Sequence, residues 1–157
     1  MRTQHAQSLI EVTVGLVVLV PVVLVLIDLS MAFWAAQSND TQCRNAAQAA
    51  SVGPPIEANA RAQSILQNWN SRNKSTLVGQ IELAEPVKVE IKHAPQPQDD
   101  AKAGERFNPG GTVTGDVTVS TSVPVKPFLI HFAAGGKSPM LVRSTHSFPI
   151  TYIQPPS

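Results

Sequence analysis

Cysteine is nearly absent from this chain: Cys43 is the only one in 157 residues. No intrachain disulfide can form, and no cysteine-based metal site can be built. Aromatic residues are scarce too, at 5% of the chain, and no basic run gathers them into a surface suited to nucleic acid. Nucleic-acid binding is therefore disfavoured. Neither sign of charge dominates: all but one of the 12 Lys and Arg, and all but two of the 11 Asp and Glu, follow residue 36. The histidines (His5, His93, His131 and His146) include no pair at helical metal-ligand spacing. Asp99, Asp100 and Glu105 lack the ordered oxygen spacing of a calcium loop and read as a solvated cluster. The glycines at 110, 111, 135 and 136 match no phosphate-binding fingerprint. No nucleophile, base and oxyanion-stabilising set can be argued from spacing. The expectation is a non-enzymatic protein with no cofactor, no metal and no small-molecule substrate.

What the chain does have is a long apolar run. Residues 8–36 read SLIEVTVGLVVLVPVVLVLIDLSMAFWAA, with Val12 to Ile27 uninterrupted by charge. A hydrocarbon core needs roughly 20 apolar residues in a helix, so this segment is expected to span a membrane once. Only Arg2 precedes it among the basic residues. The larger polar part follows, so the N-terminus is expected in the cytoplasm and the C-terminal part outside. Ser30-Met31-Ala32 would also serve as a small-x-small signal cleavage site, which leaves a secreted binding module as one alternative. Pro21 removes a backbone donor in mid-span, so a kink or softened turn is expected there.

Two acids interrupt the run. Glu11 and Asp28 stand seventeen residues apart, which sets them about 100° apart around a helix. They do not form one paired site. An acid inside a membrane segment is costly and usually has a dedicated partner. Glu11 reads either as a charge that pairs between subunits or as an interfacial residue at a helix N-terminus. Asp28 reads either as a boundary aspartate in contact with headgroup water or as a polar contact between helices.

Beyond the span, the helix is expected to continue through Val52. Cys43, Ala46, Ala47 and Ala50 follow i, i+3, i+4, i+7 spacing and form one narrow face of small residues, fit to pack on a sheet. Gly53-Pro54-Pro55 ends it. A second helix is expected from Pro55 to about Asn70, burying Ala58, Ala62, Ile65, Leu66 and Trp69, with Glu57 and Arg61 as an i, i+4 ion pair. The pattern then turns to period two, in runs through Leu77, Ile81 and Leu83; Val87, Val89 and Ile91; Val113, Val117, Val119 and Val123; and Met140, Val142, Phe148, Ile150 and Tyr152. Such alternation predicts antiparallel strands with one buried face, and His146 shares that face in the last run. His93 to Gly111 reads as a long exposed loop. Lys126 to Ala134 is apolar and ambiguous, compatible with one helical turn. The fold class expected is α+β: a short leader or cytoplasmic end (1–7), a transmembrane helix (8–36), and an extracytoplasmic domain (37–157) with a second helix and a 3–4-stranded antiparallel sheet.

This order of parts resembles the pilin architecture. Gln7-Ser8-Leu9-Ile10-Glu11, Leu19-Val20-Pro21, Ile27-Asp28-Leu29 and Ala32-Phe33-Trp34, followed by the alanine-rich Asn45 to Ala50, are similar to the motifs of TadE-like pseudopilins of bacterial tight-adherence (Flp-type) pilus systems. The similarity covers about residues 5–52. It implies a structural subunit of a pilus or of its assembly machinery, in the bacterial cytoplasmic membrane, with other pilin or pseudopilin subunits, pilus assembly proteins and membrane lipid as partners. It implies that Glu11 meets the N-terminal amine of a neighbouring subunit, that Pro21 and Asp28 belong to the assembling helix, and that a prepilin-type peptidase cuts between Ala6 and Gln7. Ala6 stands where the family generally has glycine. The alternative reading is a signal-anchored envelope protein whose β domain binds another envelope protein.

Overall fold

The computed structural model describes residues 2–74, 78–96, 98–99, 106–127 and 139–156, with the backbone alone for 2–10, 98–99 and 106–107. It is an α+β fold. The first helix, α1 (Arg2–Ala50), is 49 residues long, about 73 Å at 1.5 Å per residue. It stays helical through Pro21, the residue at which a kink or softened turn is expected. Gly53 then takes a positive φ of 88°, the left-handed conformation glycine supplies after a helix. Pro54 and Pro55 follow. A 3-10 turn at Pro55–Glu57 opens α2 (Ala58–Arg72).

Six strands follow among the described residues: β1 (Glu82–Leu83), β2 (Lys88–His93), β3 (Gln98–Asp99), β4 (Arg106–Phe107), β5 (Gly111–Val125) and β6 (Met140–Gln154). The main sheet is four-stranded and wholly antiparallel, built on β5. β6 pairs with β5 along its full length, from Gly111 opposite Gln154 to Val125 opposite Met140. β2 and β1 take up the other edge of β5 one after the other, at Thr114–Thr118 and Thr121–Ser122. β2 carries a bulge between Ile91 and His93, and it crosses Gly115 so closely that a Cβ there would lie 2.2 Å from the Glu90 carbonyl oxygen. Glycine is required at that crossing.

Period two decides which face is which. Val117, Val119, Val123 and Val125 of β5 and Ile150 of β6 are buried in one cluster with the helices, and Val113 is buried on the same face of β5. The opposite face carries Thr and Ser in cross-strand pairs: the Thr118 hydroxyl donates to Ser147 Oγ at 3.2 Å, and Ser120 and Thr145 share a hydrogen bond of 3.0 Å. The helices thus cover one side of a single sheet. α1 runs over β5 and β6, and α2 packs beside α1 with Ala58, Ala62 and Leu66 buried.

Two strand expectations need correction. The run 77–83 yields only the two residues of β1 and an isolated bridge from Val78 to Val125; Leu77 lies outside the described residues. The cause is Asn70. Its side-chain amide donates to the Ile81 carbonyl at 2.9 Å and accepts from the Ile81 N–H at 3.0 Å. One side chain thereby takes both backbone groups a strand partner would have used. The 93–111 segment is not plain loop either, because β3 and β4 form a two-rung antiparallel ladder within it. Residues 97 and 100–105 of that segment, and 128–138 with most of the apolar run, His131, Gly135 and Gly136, lie outside the described residues.

Candidate functional site: the two halves of the first helix

The N-terminal half of α1 is bare. From Val12 to Ile27 nearly every side chain is exposed, and within its most apolar 18-residue window only 6% of residues are buried. A helix of this length in the core of a water-soluble protein would be covered on at least one face. This one is long and apolar enough to cross a membrane.

The C-terminal half is packed tightly by small residues. Cys43, Ala46, Ala47 and Ala50 have no exposed surface at all. Small side chains let the helix backbone come close to the sheet, close enough for polar groups on the same stripe to reach strand carbonyls. Cys43 Sγ lies 3.3 Å from the Val119 carbonyl oxygen and 3.4 Å from that of Ser144, so its thiol acts as a weak donor in a closed interface. One turn earlier, Asn39 is wholly buried. Its Nδ2 donates to the Val142 carbonyl at 3.2 Å, and its Oδ1 accepts from Thr121 Oγ1 at 2.9 Å. Asp40, at the rim, accepts from Ser144 Oγ at 2.7 Å and contacts His146 Nε2 at 2.9 Å. The Ser144 hydroxyl, and then His146, hold the Asp40 carboxyl below its ordinary value. His146 is thus half-buried and hydrogen-bonded on the Val142 face.

The buried stripe reaches further toward the N-terminus than the small-residue face alone indicated. It passes through Ala35 to Asp28, which is 1% exposed. Steps of seven, four and four residues from 28 to 35, 39 and 43 stay on one side of a helix. Asp28 is therefore closed to solvent on the same side of α1 as the residues that pack on the sheet, unlike its neighbours on the bare half. Glu11 is exposed on the bare half and is not brought near Asp28. Ala6 and Gln7 lie in the first turns of α1, in the region where only the backbone is described.

Arg61 joins the helices. Besides its ion pair with Glu57 at 3.1 Å, its guanidinium donates to the carbonyls of Ala49, Ala50 and Pro54 at 3.2, 3.2 and 2.8 Å. The last carbonyls of a helix lack intrahelical donors and carry partial negative charge, so a cation from α2 closes the end of α1. The i, i+4 pair was legible in the sequence. The cap was not, although an Arg eight residues after Gly53 on an antiparallel helix is within reach of it.

At the other end of α2, Trp69, Arg72 and Lys74 meet Trp34 of α1 around an open concavity of about 240 Å³ that Val78 and Gly79 also line. Among the described residues, no three His, Cys, Asp or Glu are grouped so as to hold a metal ion. No family model matches this chain, and neither a curated protein nor a solved structure matches it.

Proposed function

We propose that this chain is a non-enzymatic, pilin-like structural subunit of the bacterial cytoplasmic membrane, a pseudopilin of a pilus or of its assembly machinery. The observation that carries this reading is the division of α1 into a bare apolar half and a half fastened to a single antiparallel sheet. Such a helix has lateral surface to give to neighbouring helices while its own domain stays folded. Glu11 adds direction. It is exposed on the apolar half, whereas Asp28 is already covered. A carboxylate in a low-dielectric helix bundle is strongly disfavoured unless a cation offsets its desolvation. The N-terminal amine of a neighbouring subunit, freed by peptidase cleavage between Ala6 and Gln7, is a cation of the right kind. The pairing would reward one axial register between subunits.

The test combines intact mass of the native protein with a Glu11→Ala variant. The expected mass begins at Gln7, and the variant is expected to insert normally, since the change raises summed hydrophobicity, while copurifying poorly with partner subunits. Normal filaments and normal copurification in the variant would remove the pairing. A native mass lacking everything through Ala32 would indicate a secreted module instead. A second reading, an anchored envelope protein that binds another envelope protein through its β domain, draws on β6, whose outer edge has no strand partner among the described residues.

A further inference from the structure

The concavity around Trp34 and Trp69 has a definite height relative to a bilayer. With about 20 residues needed for a core of about 30 Å, a span that starts at Val12 ends near Met31. Trp34 then falls in the headgroup layer, where indole rings concentrate because one end is apolar and the other polar. Trp34 is about half exposed, at 48%. α2 runs antiparallel to α1: Arg61 near its start reaches Ala49 and Ala50, and Trp69 near its end shares the concavity with Trp34. The C-terminal end of α2 is therefore carried back to the level of Trp34.

Basic side chains line the concavity at that level. Arg72 and Lys74 line the concavity and are exposed. Lys126, also exposed, follows Val125, whose bridge partner Val78 lines the same concavity. The segments 66–74, 78–80, 123–127 and 139–143 contain no acid, and between Val12 and Asn39 the only acid is the covered Asp28. Met140 and Leu141, at the same end of the sheet, are exposed apolar residues. Cations beside indole rings and bare apolar side chains make a surface complementary to the phosphates and upper acyl chains of an anionic bilayer.

We infer that this end of the domain rests on the headgroup layer of an anionic membrane, with lipid phosphate held by Arg72 and Lys74 between Trp34 and Trp69. The inference rests on α1 crossing the bilayer and not on pilus assembly. The bilayer then fixes the tilt of the domain, which a single helix crossing would leave free.

The chain has two tryptophans, so Trp34→Phe leaves Trp69 as sole reporter and Trp69→Phe leaves Trp34. Each full-length variant is reconstituted in phosphatidylcholine vesicles, with or without phosphatidylglycerol, doped with a headgroup-nitroxide lipid that quenches indole fluorescence. Both reporters are expected to be quenched, and Trp69 more strongly when phosphatidylglycerol is present. Lys74→Gln is expected to lower the ratio of docked to undocked domain about fivefold, and added salt to act in the same direction. Quenching of Trp34 without quenching of Trp69 would overturn the inference while leaving the membrane span intact. Absence of quenching at both would overturn the span and the inference together. Shielding of Trp69 that follows the protein-to-lipid ratio and ignores phosphatidylglycerol would assign the concavity to a second copy of the chain, which also overturns it.

Discussion

Thr121 and Asn39 meet at 2.9 Å across the helix–sheet interface, hydroxyl to amide oxygen, with neither residue exposed to solvent. The contact ties α1 to the strand at the centre of the sheet, and the same Asn39 amide reaches β6 through Val142. An interface lined otherwise by alanines and valines tolerates rotation and sliding. A buried amide with two specific partners does not.

Asn39→Ala is therefore expected to destabilise the domain by about 1–3 kcal/mol, because the Thr121 hydroxyl and the Val142 carbonyl lose a partner in a closed site. The single variant Thr121→Val removes the other side of the bond, and the double variant Asn39→Ala, Thr121→Val is expected to cost less than the sum of the two. Thermal unfolding of the two single variants and the double variant in detergent would measure the coupling. Strict additivity would show that the contact contributes nothing of its own.

Ala47 is wholly buried in the face turned to the sheet. Ala47→Leu is expected to cost about 1–3 kcal/mol through overpacking and to raise amide exchange in β5 and β6 more than in the bare half of α1. Unchanged exchange in both strands would mean that the helix does not hold the sheet.

Arg61→Met retains much of the aliphatic stem but removes the donors to Ala49, Ala50 and Pro54. About 1–2 kcal/mol of stability is expected to be lost, the range of a cation at a partly buried helix C-terminus, with faster amide exchange in residues around 47–52 as its local mark. Arg61→Lys, which restores charge without the planar fork, should recover only part.

Acid is expected to loosen the rim. The Asp40 carboxyl is held below its ordinary value of 3.8 by the Ser144 hydroxyl first and His146 second, with Arg44 contributing. A depressed carboxylate adds stability that is present above the unfolded value and is lost as pH falls through the folded one. The loss therefore falls below about pH 4. The side chain is largely exposed, so the effect is small. Melting curves from pH 5 to pH 2 should converge for the native chain and Asp40→Asn. Parallel curves over that range would exclude the carboxylate as the source.

Much of this architecture is written plainly in the residues. Alternation at Val113, Val117, Val119 and Val123 marks the buried face of β5, and the spacing of Cys43, Ala46, Ala47 and Ala50 marks the closed face of α1. What escapes is polar and long-range. Asn39 sits in Gln37-Ser38-Asn39-Asp40, a segment any reader would leave in water, and only its position four residues before Cys43 separates it from its neighbours. Nothing in residues 27–29 themselves marks Asp28 as closed to solvent. Ile81 lost its strand partner to one amide on α2, a substitution no periodicity records. The concavity at Trp34 was equally hidden, since it joins residues from α1, α2 and the chain at 78–79 that only the antiparallel return of α2 brings to one level.

The register of α1 on the sheet has a consequence for biosynthesis. Cys43 finds its partners at Val119 and Ser144, the latter 101 positions later in the chain. At the usual pace of about 5–20 residues per second, the small-residue face of α1 is complete on the order of 5–20 s before the last strand that covers it emerges. Through that interval the helix is finished but its binding site for the sheet is empty. A face of leucines would be adhesive for as long. A face of alanines and one cysteine offers little apolar area to a wrong partner, so the residues that permit close packing at the end also keep the nascent chain inert while it waits.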